Sequence, residues 1–132
     1  MEEIRYFKIC LEDVVEKLRE YFASREDVLI AILFGSALRR NIVRDIDIAV
    51  YLARKSLNKI LRMGWELEEI LKTPVDIVPL EQLPPKLKLK ILLRGKPIII
   101  RSPSTYTEIL KTSIGELEDL KTIYSHSDLK KL

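Results

Sequence analysis

A single cysteine and a single histidine among 132 residues remove much of metal and redox chemistry at once. With Cys10 alone there is no internal disulfide and no cysteine zinc cluster. Cys10 falls in a helical pattern near the N-terminus, where a buried or half-buried thiol is expected. His126, the only histidine, sits near a polar C-terminus. A bound metal therefore needs oxygen ligands, which points to magnesium or manganese rather than zinc. No apolar run approaches the ~20 residues needed to cross a bilayer. Met1-Glu2-Glu3-Ile4-Arg5 lacks the basic start and apolar stretch of a signal peptide. A cytoplasmic location with no membrane partner is expected. Charge of one sign is scarce as well: 23 basic against 20 acidic residues leave +3. Lys and Glu are interleaved rather than blocked, so no specific nucleic-acid partner is evident. Internal repeats, low-complexity segments and linkers are missing too.

What is present is the composition of a globular domain, 47% hydrophobic and 33% charged. That suits one core and one domain over 1–132; charge beside an aliphatic-rich core also suits a thermophile. Over residues 3–23, Ile4, Phe7, Leu11, Val14, Val15, Leu18 and Phe22 recur at spacings of three and four, which predicts an amphipathic helix. Glu26-Asp27 interrupts it, and the apolar run from Val28 to Phe34 predicts a buried strand. A second strand, Asp45 to about Leu52, alternates: Ile46, Ile48 and Val50 share one face, Asp45, Asp47 and Ala49 the other. Ser56 is a fitting N-cap for a helix with an expected buried stripe of Leu57, Ile60, Leu61, Gly64, Leu67 and Leu71, flanked by Trp65 and Ile70. Thr73-Pro74 ends it. Val75 to Val78 predicts a third strand, closed by Pro79. Pro84-Pro85 opens a short helix through Leu93, with Gly95 at its end. Pro97 to Arg101 predicts an edge strand. Thr105 and Glu108 make a capping-box pattern for a last helix. Its stripe is Ile109, Leu110, Ser113, Leu117, Leu120 and Tyr124, and its end frays from about Ser125. The expected class is α/β in the α+β sense, a small mixed sheet packed with helices. Its core covers about 28–100, between flanking N- and C-terminal helices.

The chemistry concentrates between Leu33 and Val50. Carboxylates two apart on a strand project the same way, ~7 Å apart at the backbone. Asp45 and Asp47 so held repel each other, and burial raises their pKa values unless a cation lies between them. Asp76 is a third acid in a strand otherwise of Val, Ile and Val, a costly place without a partner. If the second and third strands are neighbours, Asp76 completes a three-carboxylate site. Singly, each acid reads equally well as a solvated strand position; the combination does not. Gly35-Ser36, at the end of the first strand, lets a phosphate approach the backbone, and amides at a following helix start are oriented to meet an anion. Ser36 adds a hydroxyl. Arg39 and Arg40 lie one turn on, where a guanidinium can reach a triphosphate; Arg40 and Arg44 read equally well as solvated charges.

In combination, Gly35-Ser36, a spacer of eight residues, Asp45-x-Asp47 and the later Asp76 resemble the signature of the polymerase-β-like nucleotidyltransferase superfamily. Phe34 and Arg39 match its small prokaryotic pattern. The likeness runs roughly from Val28 to Ile100, and size and helix order resemble the minimal nucleotidyltransferases. The spacer is slightly short, Arg40 stands where a glycine often follows the arginine, and Arg44 where a serine often precedes Asp-x-Asp. The resemblance implies a single-domain polymerase-β-like palm. It implies that Asp45, Asp47 and Asp76 are catalytic and hold two Mg2+ ions (Mn2+ as an alternative), with ATP as substrate. Gly35, Ser36 and Arg39 would then bind the β- and γ-phosphates. It further implies transfer of AMP to a tyrosine of a HEPN-type helical toxin encoded nearby, the chain acting as antitoxin. The last helix's apolar stripe would serve a partner, a second copy of the chain, or its own core. Two other readings are a catalytically silent binding antitoxin, against which the three acids argue, and a small-molecule nucleotidyltransferase of the antibiotic type. An Asp-x-Asp glycosyltransferase would leave the Gly-Ser corner unexplained.

Overall fold

The computed structural model describes residues 3–123. Six strands and four helices alternate through it: β1 (Phe7–Lys8), α1 (Leu11–Ala23), β2 (Val28–Phe34), β3 (Ile42–Val43), β4 (Ile46–Leu52), α2 (Leu57–Leu71), β5 (Val75–Pro79), α3 (Pro85–Arg94), β6 (Lys96–Ile100) and α4 (Pro103–Ile123). Single 3-10 turns follow β2 and β5, at Gly35–Leu38 and Leu80–Gln82. The main sheet has the order β5-β4-β2-β6. β2 is antiparallel to both β4 and β6, whereas β4 and β5 run parallel, so the sheet is mixed as expected. β6 lies at one edge and β5 at the other.

Alternation along the strands divides the core into two layers. Val28, Ala31 and Leu33 of β2 join Ile46, Ile48, Val50 and Leu52 of β4 on the face covered by α1 and α2. A register shift between Val28 and Ile30 inserts one extra residue into β2, which is why Val28 and Ala31 reach the same side. Leu18 and Phe22 of α1 are wholly buried there; each such side chain contributes about 1.5–3 kcal/mol. On the other face Ile30, Ile32 and Ala49 meet Ile91 and Leu92 of α3, with Tyr106, Ile109 and Leu110 of α4 packed alongside. Asp47 shares that second face.

Four expectations change. Helix α1 starts at Leu11, because residues 7–9 pair with 41–43: Phe7 and Lys8 oppose Val43 and Ile42, and Ile9 N–H donates to the Asn41 carbonyl at 2.7 Å. Ile4 is consequently exposed. Cys10 is the extended N-cap residue of α1, and its thiol is exposed rather than buried. Helix α2 is rotated from the expected stripe. Met63 and Leu67 are buried, with Ile60 and Leu71 partly so, while Leu57, Leu61 and Trp65 face outward. Polar contacts accompany that rotation: Glu66 meets Arg25 at 2.6 Å and accepts from the Tyr21 hydroxyl at 3.3 Å, and Glu68 accepts from the Val75 N–H at 3.1 Å. Helix α4 opens two residues earlier than expected. Ser102 Oγ accepts from the Thr105 N–H at 3.3 Å and lies 2.7 Å from the Thr105 hydroxyl, with Pro103 in the first helical position. Ser113 of its stripe is buried, its hydroxyl donating to the Ile109 carbonyl at 2.6 Å; Leu120 is exposed. Tyr124, the fraying end and His126 lie outside the described residues.

Other details stand as read. Ser56 Oγ accepts from the Lys59 N–H at 3.3 Å and caps α2, and Gly95 is the C-cap of α3. Among the described residues no helix is long and apolar enough to cross a membrane.

Candidate active site

β2 and β4 are antiparallel with Phe34 opposite Asp47, and β4 and β5 are parallel with Asp47 opposite Asp76. Phe34, Asp47 and Asp76 therefore form one row across three strands, spaced by the ~4.8 Å separation of neighbouring strands. The two strands predicted to carry the acids are indeed neighbours. Asp45 lies one residue before β4, so it approaches the row from the strand's entrance rather than from within the ladder. Asp45 and Asp47 are partly buried, whereas Asp76 is exposed on the edge strand.

The glycine after Phe34 is pressed against this row. Gly35 has φ of +82°, in the left-handed region, and a Cβ built on it would overlap Asp47 Oδ2 and approach Asp47 Cγ to 3.2 Å. Only glycine suits both the turn and the contact. The chain then makes a single 3-10 turn rather than a full helix, with the Ser36 carbonyl accepting from the N–H groups of Arg39 and Arg40, both at 2.9 Å. Ser36 is partly buried, and Arg39, Arg40 and Arg44 are exposed.

Burial, then the charge of Asp45, then that of Asp76 push the Asp47 carboxyl from 3.8 up to about 6. Among the described residues the ion pairs are Arg25–Glu66, Lys59–Asp27 and Lys88–Glu116, none of which includes an acid of the row. Nor, among the described residues, do three His, Cys, Asp or Glu side chains close into a finished metal cage. The donor set nevertheless fits a hard divalent cation: oxygen donors only, negative charge concentrated on the middle carboxyl, and a backbone corner alongside.

The sequence pattern did not disclose the wall facing this corner. A cavity of about 500 Å3 separates Phe34, Gly35 and Arg39 from the side of α3 that carries Leu87, Lys90 and Arg94. Its only sequence signal is the Lys90-x3-Arg94 spacing, which puts both cations on one helix face.

Comparison with known proteins agrees with this architecture. Residues 16–104 match the family model described as Polymerase beta, Nucleotidyltransferase. No curated protein matches the sequence. Among solved structures, a chain from the tri-AMPylated Shewanella oneidensis HEPN toxin in complex with MNT antitoxin is similar, with 19% identity and a TM-score of 0.68, covering 88% of this chain and 93% of that one. A toxin–antitoxin structure with AMP-PNP gives 21% identity, a TM-score of 0.64 and coverages of 89% and 94%. The toxin–antitoxin MntA–HepT structure gives 20%, 0.62, 87% and 90%. The acid row, the Gly-Ser corner and the family match over 16–104 agree, and the chain belongs to the polymerase β nucleotidyltransferase family.

Proposed function

We propose that this chain is a magnesium-dependent transferase that moves AMP from ATP to a hydroxyl of a HEPN-type toxin, and thereby acts as its antitoxin. The observation that carries the reading is the Asp47–Asp76 pairing across β4 and β5, with Gly35 seated on Asp47. The similar chains, one from a tri-AMPylated HEPN toxin in complex with MNT antitoxin and one from a toxin–antitoxin structure with AMP-PNP, support the choice of nucleotide and partner.

Asp45, Asp47 and Asp76 would hold two Mg2+ ions, which when bound neutralise the triphosphate and acidify the attacking hydroxyl. The backbone at Gly35, the Ser36 hydroxyl and Arg39 grip the β- and γ-phosphates, and so orient the α-phosphate toward the row. Asp76, at the exposed edge, receives the acceptor's proton as its oxygen attacks the α-phosphate in line. The new oxygen–phosphorus bond forms as the bond to the β-phosphate oxygen breaks, and pyrophosphate leaves. An exposed edge acid suits a bulky acceptor, because a protein hydroxyl can approach β5 without entering a closed cavity.

The experiment is incubation with α-labelled ATP and magnesium, with and without the helical protein encoded by the neighbouring gene, followed by intact mass spectrometry. An AMP adduct on the partner, lost in Asp45→Asn or Asp47→Asn, is the expected result. Tight partner neutralisation with no adduct, unchanged in those variants, would replace the enzyme reading with a binding-only antitoxin.

A further inference from the structure

We infer that Lys90 and Arg94 of α3 form the second wall of the polyphosphate site and make the enzyme select a triphosphate over a monophosphate. The inference rests on the transferase reading above, and it concerns side chains outside the Gly-Ser and Asp-x-Asp signature.

Four basic residues of α3 precede or include its last turn, and they do different things. Lys88 turns inward and meets Glu116 of α4 at 3.5 Å, its side chain almost wholly buried. Lys86 lies off the cavity beside Gly35. Lys90 and Arg94, one turn apart, both line that cavity, and Arg39 faces them from the other side. No acidic residue lines it. Among the described residues neither Lys90 nor Arg94 has an ion-pair partner. Three uncompensated cations converging on one space favour a polyanion over a neutral base or an acidic protein segment.

Position gives the second argument. α3 packs on the same face of the sheet that carries Asp47, through Ile91 and Leu92 against Ile30, Ile32 and Ala49. Phe34, opposite Asp47 in the ladder, and Gly35, in contact with Asp47, both line the cavity. The space thus adjoins the acid row at Phe34 and Gly35 and leads toward Lys90 and Arg94. A nucleotide whose α-phosphate sits at Asp47 has its β- and γ-phosphates directed at these cations. Leu38, Leu87 and Ile91 form an apolar floor between the two basic walls, and a charge-assisted contact to phosphate is stronger than a neutral one. AMP carries no phosphates to reach this wall.

The test uses the full chain and the double variant Lys90→Gln/Arg94→Gln. Binding of ATP, AMP and inorganic pyrophosphate is measured by calorimetry with magnesium, and transfer to the partner is followed alongside. Both side chains are exposed, so the variant should fold, and circular dichroism verifies it. The expected result is a loss of about tenfold or more in affinity for ATP and pyrophosphate, with AMP affinity unchanged. Pyrophosphate, which has neither base nor sugar, is the deciding probe. Unaltered pyrophosphate affinity, or an equal loss for AMP and ATP, overturns the inference while wild-type transfer leaves the enzyme reading intact. Wild-type protein that binds neither ATP nor pyrophosphate overturns both.

Discussion

Asp47 carries a cost that can be measured without any substrate. Its carboxyl is raised from 3.8 to about 6 by burial and by the charges of Asp45 and Asp76. At 1.36 kcal/mol per pH unit the gap amounts to about 3 kcal/mol; because the group is only half-buried, solvent screening reduces this to about 1–2 kcal/mol. Between pH 3.8 and about 6 the native carboxyl keeps a proton that the unfolded chain has released. The unfolded state then binds fewer protons, so stability falls as pH rises through that window and levels off above it. Asp47→Asn keeps the shape and removes the charge. In chelator at pH 8 it should stabilise the protein by about 1–2 kcal/mol, a rise in Tm of roughly 4–8 °C. Below pH 4 that gain should disappear, because the wild-type carboxyl is already neutral. Magnesium should raise the wild-type Tm at pH 8 and leave the variant nearly unmoved. Urea and thermal unfolding at both pH values decide the matter. A variant less stable than wild type at pH 8, or a difference independent of pH, would refute the electrostatic account of the row.

Three further outcomes follow from specific contacts. Gly35→Ala forces a Cβ into Asp47 Oδ2 at a positive φ; displacing the central carboxyl should lower AMP transfer by about 100-fold, with the fold retained by circular dichroism. Arg101 donates from its guanidinium to the carbonyls of Val28 at 2.8 Å, Phe22 at 2.7 Å and Ala23 at 3.0 Å, tying the carbonyl end of α1 to β2. Arg101→Gln should cost about 2–3 kcal/mol in urea denaturation without altering affinity for ATP. For the buried Lys88 beside Glu116, Glu116→Ala should destabilise by about 1–2 kcal/mol, whereas Lys88→Met should be near neutral by the same assay, because the first leaves a charge unpaired in the interior and the second removes it.

The alternation in Ile46–Leu52 and the continuous apolar run in Val28–Phe34 were legible because each is a local apolar pattern of strand length. The caps at Ser56 and Gly95 were legible because their chemistry is local. The pairing of Asp47 with Asp76 was available only conditionally, since strand order depends on a helix crossing over between β4 and β5 rather than on either strand. The two-residue strands β1 and β3 carry too few residues for any period, and their pairing moved the start of α1 to Leu11. In α2, two apolar ridges compete for the core. Met63 and Leu67 rather than Leu57, Leu61 and Trp65 face the sheet, and Glu66 of the same helix meets Arg25 of a segment distant in sequence. Lys90 and Arg94 resemble any charged helix face until α3 is seen opposite Gly35.

The same packing explains why the acids are held and yet reachable. Along β4 the second face passes from Ala49, fully buried beneath α3, to Asp47, half-open at the end of that cover. One residue pair further inward a carboxylate would face Ile30, Ile32 and Ile91 with nothing to offset its charge. One pair outward stands Asp45, which adds its charge to the row but lies before the strand, while the contact with Gly35 belongs to Asp47. β2 ends at Phe34, in the row itself, and releases the backbone into the Gly35 turn. The length of β2 therefore decides where a rigid apolar sheet stops and a polar corner begins. A one-residue extension of β2 would carry Gly35 past Asp47 and separate the phosphate corner from the carboxylates, although every strand could remain paired.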